Sequence, residues 1–281
     1  MTIDRILSIV TSFLNFIKTL FLSKYVVNFK RKSKNTTLSI LANGPSLSEI
    51  LTNYKSLEGD LLVVNLFHKT DYFSILMPPY YLISAPEFWL PLESDLYKNM
   101  QKELEESLQI KVSWPMTFFI PYKSKKFKYK SKIEQLNSNI TVRYYNDTAI
   151  DGYSILDKLL MNFKLAMPRP HNVLIPSLMT GIWMGYSTIN LYGVDHSWLP
   201  QISVNNENQA LVNQQHFYDA QTSTHQVMTK KGEGSRRLHE ILHKFQLTFK
   251  SYHDINRFAR SCGSKIINHT KGSYIDAFER A

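Results

Sequence analysis

The chain has 281 residues, 43% of them hydrophobic, and a formal net charge of +10. That is enough apolar sequence for one large α/β core with appendages, and too little chain for two full domains. The positive balance favours phosphate-bearing partners, whether nucleic acid, anionic lipid or a nucleotide-activated sugar, while the sole cysteine, Cys262, excludes an intrachain disulfide, argues against a cysteine-based zinc site and fits a reducing, cytoplasmic compartment.

Residues 2–23 set Ile6, Leu7, Val10, Phe13, Leu14, Ile17, Leu20 and Phe21 on one helical face, with Ser8, Thr11, Ser12, Asn15 and Lys18 opposite. The interspersed polar residues make a poor membrane span, and no small-residue cleavage site follows. Lys24, Lys30, Arg31, Lys32 and Lys34 come next, a cluster that an anionic cytoplasmic leaflet attracts. Residues 1–35 therefore read as an amphipathic, basic segment that either lies on the inner face of the membrane or packs on the domain or on a partner subunit, leaving a homo-oligomer open.

Residues 36–281 read as the catalytic domain. A buried strand over 37–42 runs into the tight turn Asn43-Gly44-Pro45-Ser46, and a helix starts at Leu47. Strands over 61–66, with Asn65 at the end, and 80–84, closing on Ser84, continue the alternation, which predicts a mostly parallel, Rossmann-like sheet with flanking helices and a ligand beyond the carboxyl ends of the strands. Residues 92–108 read as a charged surface helix. The lysine-rich stretch 122–132 reads as a solvated loop, with a mobile lid over a phosphate-bearing substrate or a second membrane contact as the lesser alternatives. A buried helix over 173–186, a strand over 188–192 with the loop Gly193-Val194-Asp195-His196-Ser197, a helix over 236–261 and a last strand over 265–268 with the loop Thr270-Lys271-Gly272-Ser273 complete the chain.

Gly44 lets a backbone approach a ligand closely, and Ser46 offers a hydroxyl beside N–H groups suited to an anion. This turn, with Asn65, with Gly185-Tyr186 and with the strand ending Gly193-Val194-Asp195, resembles the bacterial sialyltransferases that use CMP-sialic acid. A longer similarity joins the chain to proteins of bacterial surface-polysaccharide clusters described as 6-hydroxymethylpterin diphosphokinase-like. It runs through Gly193-Val194-Asp195-His196-Ser197-Trp198, His216-Phe217-Tyr218, Leu238-His239-Glu240 and the segment from Gly272 to Phe278.

The resemblance implies a sialyltransferase-like GT-A variant that moves a sugar, a nonulosonic acid among the candidates, from a CMP-sugar donor to a glycan or lipid-linked glycan. Asn43, Gly44, Pro45, Ser46, Asn65, Ser84, Gly193, Tyr218, Gly272 and Ser273 are the expected donor-binding residues. His216 is the expected base, with His225 second, and His196 and Asp195 belong to the same catalytic group. The family's tyrosines that stabilise the departing phosphate have no counterpart, since Ser197 stands at the aligned position; Tyr218, Ser273 and Lys271 are the candidate replacements.

His239 and His243 stand at i, i+4 but lack a third ligand, and no Asp-X-Asp element occurs, so neither metal nor other cofactor is expected. Without helix-turn-helix, zinc-finger or RNP-type patterns, nucleic acid is not an expected partner. The rival readings are a pterin diphosphokinase-like enzyme and a non-catalytic subunit of a polysaccharide assembly complex.

Overall fold

Residues 38–41, 62–64 and 116–120 are buried throughout, as strands of a parallel sheet covered on both faces must be. The computed structural model describes residues 3–24, 29, 31, 34–91, 94–212, 226–228 and 234–281. In chain order the elements are α1 (Ile3–Leu22), β1 (Thr37–Leu41), α2 (Leu47–Thr52), β2 (Asp60–Val64), α3 (Tyr72–Leu76), β3 (Tyr80–Leu82), α4 (Asp95–Lys111), β4 (Met116–Pro121), α5 (Tyr129–Leu136), β5 (Ile140–Tyr145), β6 (Ala149–Ile150), α6 (Ile155–Asn162), β7 (Met167–Pro168), α7 (Leu174–Trp183), β8 (Thr188–Tyr192), β9 (Ile202–Val204), β10 (Ala210–Val212), β11 (Gln226–Val227), α8 (Leu238–Ser261), β12 (Lys265–Asn268) and β13 (Glu279–Arg280).

Eight strands form one parallel sheet in the order β13-β12-β8-β1-β2-β3-β4-β5. From β1 the chain steps outward to β5, then returns to the other side of β1 and steps outward again through β8, β12 and β13. The fold is Rossmann-like α/β, and the reversal between β1 and β8 opens a crevice at the carboxyl ends. Leu47, Phe73, Leu108 and Ile133, from α2 to α5, pack with Leu41, Val63 and Phe118 on one face of the sheet. Leu160, Leu178 and Tyr252, from α6 to α8, pack with Leu38, Ile40 and Leu191 on the other.

The strands β8 and β12 stand where the sequence puts them. Asn65 does not continue β2; it begins a 3-10 turn, Asn65–Lys69. The helix expected over 92–108 starts at Asp95 and ends at Lys111. The lysine-rich stretch is not a solvated loop: it forms a 3-10 turn, Tyr122–Phe127, and then α5. Tyr129 and Ile133, four residues apart, bury one face of α5, while on the outside Lys132 pairs with Glu105 at 2.6 Å and Lys126 lies over Phe127 at 4.7 Å.

Helix α1 is set against the usual order. Its polar residues Ser12, Asn15 and Thr19 are buried, whereas Phe13, Leu14, Ile17, Leu20 and Phe21 are exposed, Phe21 at 80%. The cause is Asp157, buried at the first turn of α6. Its carboxylate accepts from Ser12 Oγ (2.9 Å), Asn15 Nδ2 (3.0 Å) and Ser154 N (2.9 Å), and Ser154 Oγ accepts in return from Asp157 N. A capping box thus doubles as the anchor of a second helix. Among the described residues, no helix is long and apolar enough to cross a membrane.

Asp157→Ala is expected to strand the Ser12 and Asn15 donors and to uncap α6, costing roughly 2–4 kcal/mol. Amide exchange in α1 should then accelerate far more than exchange in β1 or β8; equal protection across all three would refute the anchoring role.

Candidate functional site

Two loops interlock at the reversal of the sheet. Gly44 N donates to Gly193 O at 2.9 Å, and Ser46 reaches Asp195 twice, N to Oδ1 at 3.2 Å and Oγ to Oδ2 at 2.9 Å. A Cβ on Gly44 would lie 2.0 Å from Asp195 Oδ2 and 2.5 Å from Gly193 O, so only glycine fits. Gly193 has φ 67°, and a Cβ there would meet Ala42 O at 2.9 Å. The N–H and hydroxyl expected to cradle an anion from a ligand hold the protein's own carboxylate instead. The Asp195 carboxylate is likewise bound to Ser46 and, among the described residues, to no histidine.

A cleft of about 560 Å³ opens beside this junction. Asn43, Gly44, Pro45, Asn65, Ser84, Gly193, Asp195 and His196 all line it, so residues from four strand ends converge. Ser46 supports the wall without lining it. Ser273 is buried one layer behind: its hydroxyl donates to Val194 O (2.6 Å) and accepts from Asn268 Nδ2 (3.0 Å) and Ile275 N (3.3 Å). With its proton committed, Ser273 braces the Asp195 loop and offers nothing to a ligand. Gly272 and Lys271 are exposed and do not line the cleft. His216, Tyr218 and His225 lie outside the described residues.

Asn65 holds a left-handed backbone, φ 45°, at the end of β2. Its carbonyl accepts from Tyr81 Oη and its Oδ1 accepts from Ser84 N at 3.4 Å, which leaves the amide nitrogen without a protein partner among the described residues. Asn43 Nδ2 donates to Val64 O (3.2 Å), and its Oδ1 is buried with no partner among the described residues. His196 is a second non-glycine residue at positive φ, 51°, on the same cleft. Such conformations cost free energy and gather where geometry serves a ligand.

The proton on His196 follows from its neighbours. Asn172 Oδ1 accepts from Leu174 N (3.0 Å) at the start of α7, which turns its amide nitrogen toward Tyr252 Oη (2.7 Å). Tyr252 Oη therefore accepts from Asn172 and donates to His196 Nε2 at 2.5 Å. The imidazole carries its proton on Nδ1, its Nε2 lone pair is engaged, and burial lowers its pKa to about 3. Trp198 and Tyr252 wall it in, with ring centroids 4.2 and 5.4 Å away. His196 is a wall of the site and a poor proton acceptor.

His171 was not singled out by the sequence. It lines the cleft from the loop before α7, its ring has no partner among the described residues, and burial and the Lys244 and Arg169 cations lower its pKa. Its sequence signal was faint: Arg169-Pro170-His171-Asn172 is a proline-bearing loop whose asparagine caps the buried helix. Also from the far side, Ile241, Lys244, Phe245 and Thr248 of α8 face the cleft at helical spacing. His239 and His243 are exposed on the same helix, and no third metal-ligating side chain joins them among the described residues.

Comparison of the chain with protein-family models finds no match, and comparison with curated protein sequences finds none either.

His68 shares the neutral state of His196: burial, with the Lys69 and Lys111 cations, lowers its pKa to about 3. Imidazoles freed by unfolding titrate near 6.5, so the unfolded chain binds more protons at acid pH. The contribution of these residues is complete above about pH 6.5 and drains away as pH falls toward 3. In urea melts over that window, His196→Gln should flatten the pH dependence by about one proton relative to the wild type; an unaltered slope would mean that the folded imidazole titrates normally.

Proposed function

We propose that the protein is a glycosyltransferase that carries a sugar, with nonulosonic acids the first candidates, from a CMP-sugar donor to a surface-polysaccharide or lipid-linked glycan acceptor. The observation that carries this reading is the meeting of Asn43–Pro45, Asn65, Gly193 and Asp195–Trp198 on one cleft at the reversal of a parallel sheet. These are the segments whose sequences resemble the CMP-sialic-acid transferases, and that end of such a sheet is where this fold class takes nucleotides.

In the reaction, the acceptor hydroxyl oxygen bonds to the anomeric carbon as the bond to the phosphate oxygen breaks, and the electron pair leaves on CMP. The hydroxyl proton needs an acceptor, and an imidazole is suited to the task near neutral pH. His216 is the expected base by sequence; of the described cleft residues, His171 is the imidazole with free nitrogens. The Asn65 amide nitrogen and the Ser84 hydroxyl are positioned to meet sugar oxygens. A monophosphate donor needs no metal bridge, so cytidine nucleotides should bind without magnesium.

CMP or CDP is expected to raise the melting temperature in the presence of EDTA, by about 2.7 kcal/mol of stabilisation at a hundredfold excess over Kd, and Asn65→Ala should blunt the rise with a sugar-bearing donor more than with CMP. A response to ATP with hydroxymethylpterin, and none to cytidine nucleotides, would sink the assignment in favour of a diphosphokinase.

The work would be done at the inner face of the cytoplasmic membrane. Support comes from α1, whose apolar side is held outward by the bonds to Asp157, and from α6 beneath it, which exposes Ile155 and Leu159, with Phe163 exposed just past its end. Arg5, Lys18, Lys24, Lys30, Arg31, Lys32 and Lys34 stand against the single Asp4 in residues 1–35, a charge that suits anionic headgroups and opposes a second basic copy. The protein is expected to sediment with phosphatidylglycerol-rich vesicles and to ignore phosphatidylcholine alone. Phe13→Ser with Phe21→Ser should weaken the association by roughly a hundredfold. If instead those changes dissolve a dimer and the wild type leaves vesicles untouched, the face belongs to another copy of the chain.

A further inference from the structure

Where the phosphate of a ligand sits is not where the turn motif suggests. At Asn43–Ser46 the available donors already hold the Asp195 carboxylate, and a phosphate brought there would lose those donors and face a like charge. Other cations near the cleft are also satisfied: Lys123 pairs with Asp147, and Arg169 with Asp151.

The opposite wall differs. Lys244, on the cleft face of α8, is half-buried between Ile241, Phe245 and Thr248, and burial and then the nearby Arg236 lower its pKa. No carboxylate pairs with Lys244 or with Arg236 among the described residues. A cation on the cleft wall, half out of water and with no carboxylate to neutralise it, carries a desolvation cost that a bound anion offsets.

We propose that Lys244 forms an anion subsite that takes the phosphate of the nucleotide, so that the ligand spans the cleft from the α8 wall to Asn43, Asn65 and Ser84. The identity of that anion as the donor's phosphate rests on the function proposed above; the subsite itself does not. Lys244 would act as a positioning and charge-stabilising group for the phosphate, leaving the proton to a histidine.

The test is calorimetric titration of the wild type, Lys244→Met, Lys244→Arg and Lys123→Met with cytidine, CMP, UMP, AMP, GMP and pyrophosphate, each variant first checked by thermal melting. Lys244→Met should lose at least tenfold in affinity for the phosphorylated ligands and nothing for cytidine. Lys244→Arg should keep most of the affinity, and Lys123→Met should behave as the wild type. If all the monophosphates bind alike and all weaken with Lys244→Met, the subsite stands and the cytidine assignment falls. If CMP binds as tightly to Lys244→Met as to the wild type, the assignment can stand and the subsite falls. No binding of any phosphorylated ligand, pyrophosphate included, overturns the subsite as well.

Discussion

The bond pair between Ser46 and Asp195 ties the first strand of the sheet to the strand beside it across the point where the topology reverses. The helices packed against these strands lie on opposite faces of the sheet, which opens a crevice at the carboxyl ends that other contacts must brace. Three features close the gap. Glycine on each side lets the loops touch, Gly44 against Asp195 and Gly193 against Ala42. The carboxylate accepts two donors. A third loop backs it, with Thr270 Oγ1 receiving from Val194 N and Ser273 Oγ donating to Val194 O, while Arg280 clamps the carbonyls of Thr270, Ser273 and Ile275.

The cleft that results has two unlike walls. On the side of β1, β2 and β3 it offers neutral hydrogen-bonding groups, among them the Asn65 amide nitrogen, which has no partner among the described residues. On the α8 side it offers a cation and aromatic rings, with His196 held neutral by Tyr252 and Asn172. A chain of donors starting at the first residue of α7 therefore sets the charge state of a cleft residue. This division of labour suits a ligand with a hydroxyl-rich end and an anionic end.

Much of this was legible in the sequence because local rules and the global fold agree there. The strands β8 and β12 are short apolar runs between turns, and the glycine-bearing loops mark the strand ends that meet. Where charge patterning dominated the reading, it misled: α5 carries lysines on the outside of a helix whose inner face is only Tyr129 and Ile133, and β4 and β5 were hidden between such stretches. The roles of Ser46 and Ser273 could not be read, because a hydroxyl that binds a ligand and one that binds a carboxylate or a carbonyl carry the same local signature. The direction in which α1 faces was equally invisible. Its wheel is amphipathic either way, and only Asp157, far away in the chain, decides which side turns inward.

That reversal makes the tolerance of α1 to substitution run opposite to the customary pattern for a surface helix. For folding, the large apolar positions Phe13, Leu14 and Phe21 are the permissive ones, free to drift toward any helix-compatible residue. Ser12 and Asn15, which look dispensable, are the positions where even a conservative exchange such as Ser12→Ala strips a donor from the buried Asp157 carboxylate. Any retention of bulky apolar residues along this helix among close kin would thus reflect selection for something outside the folded chain.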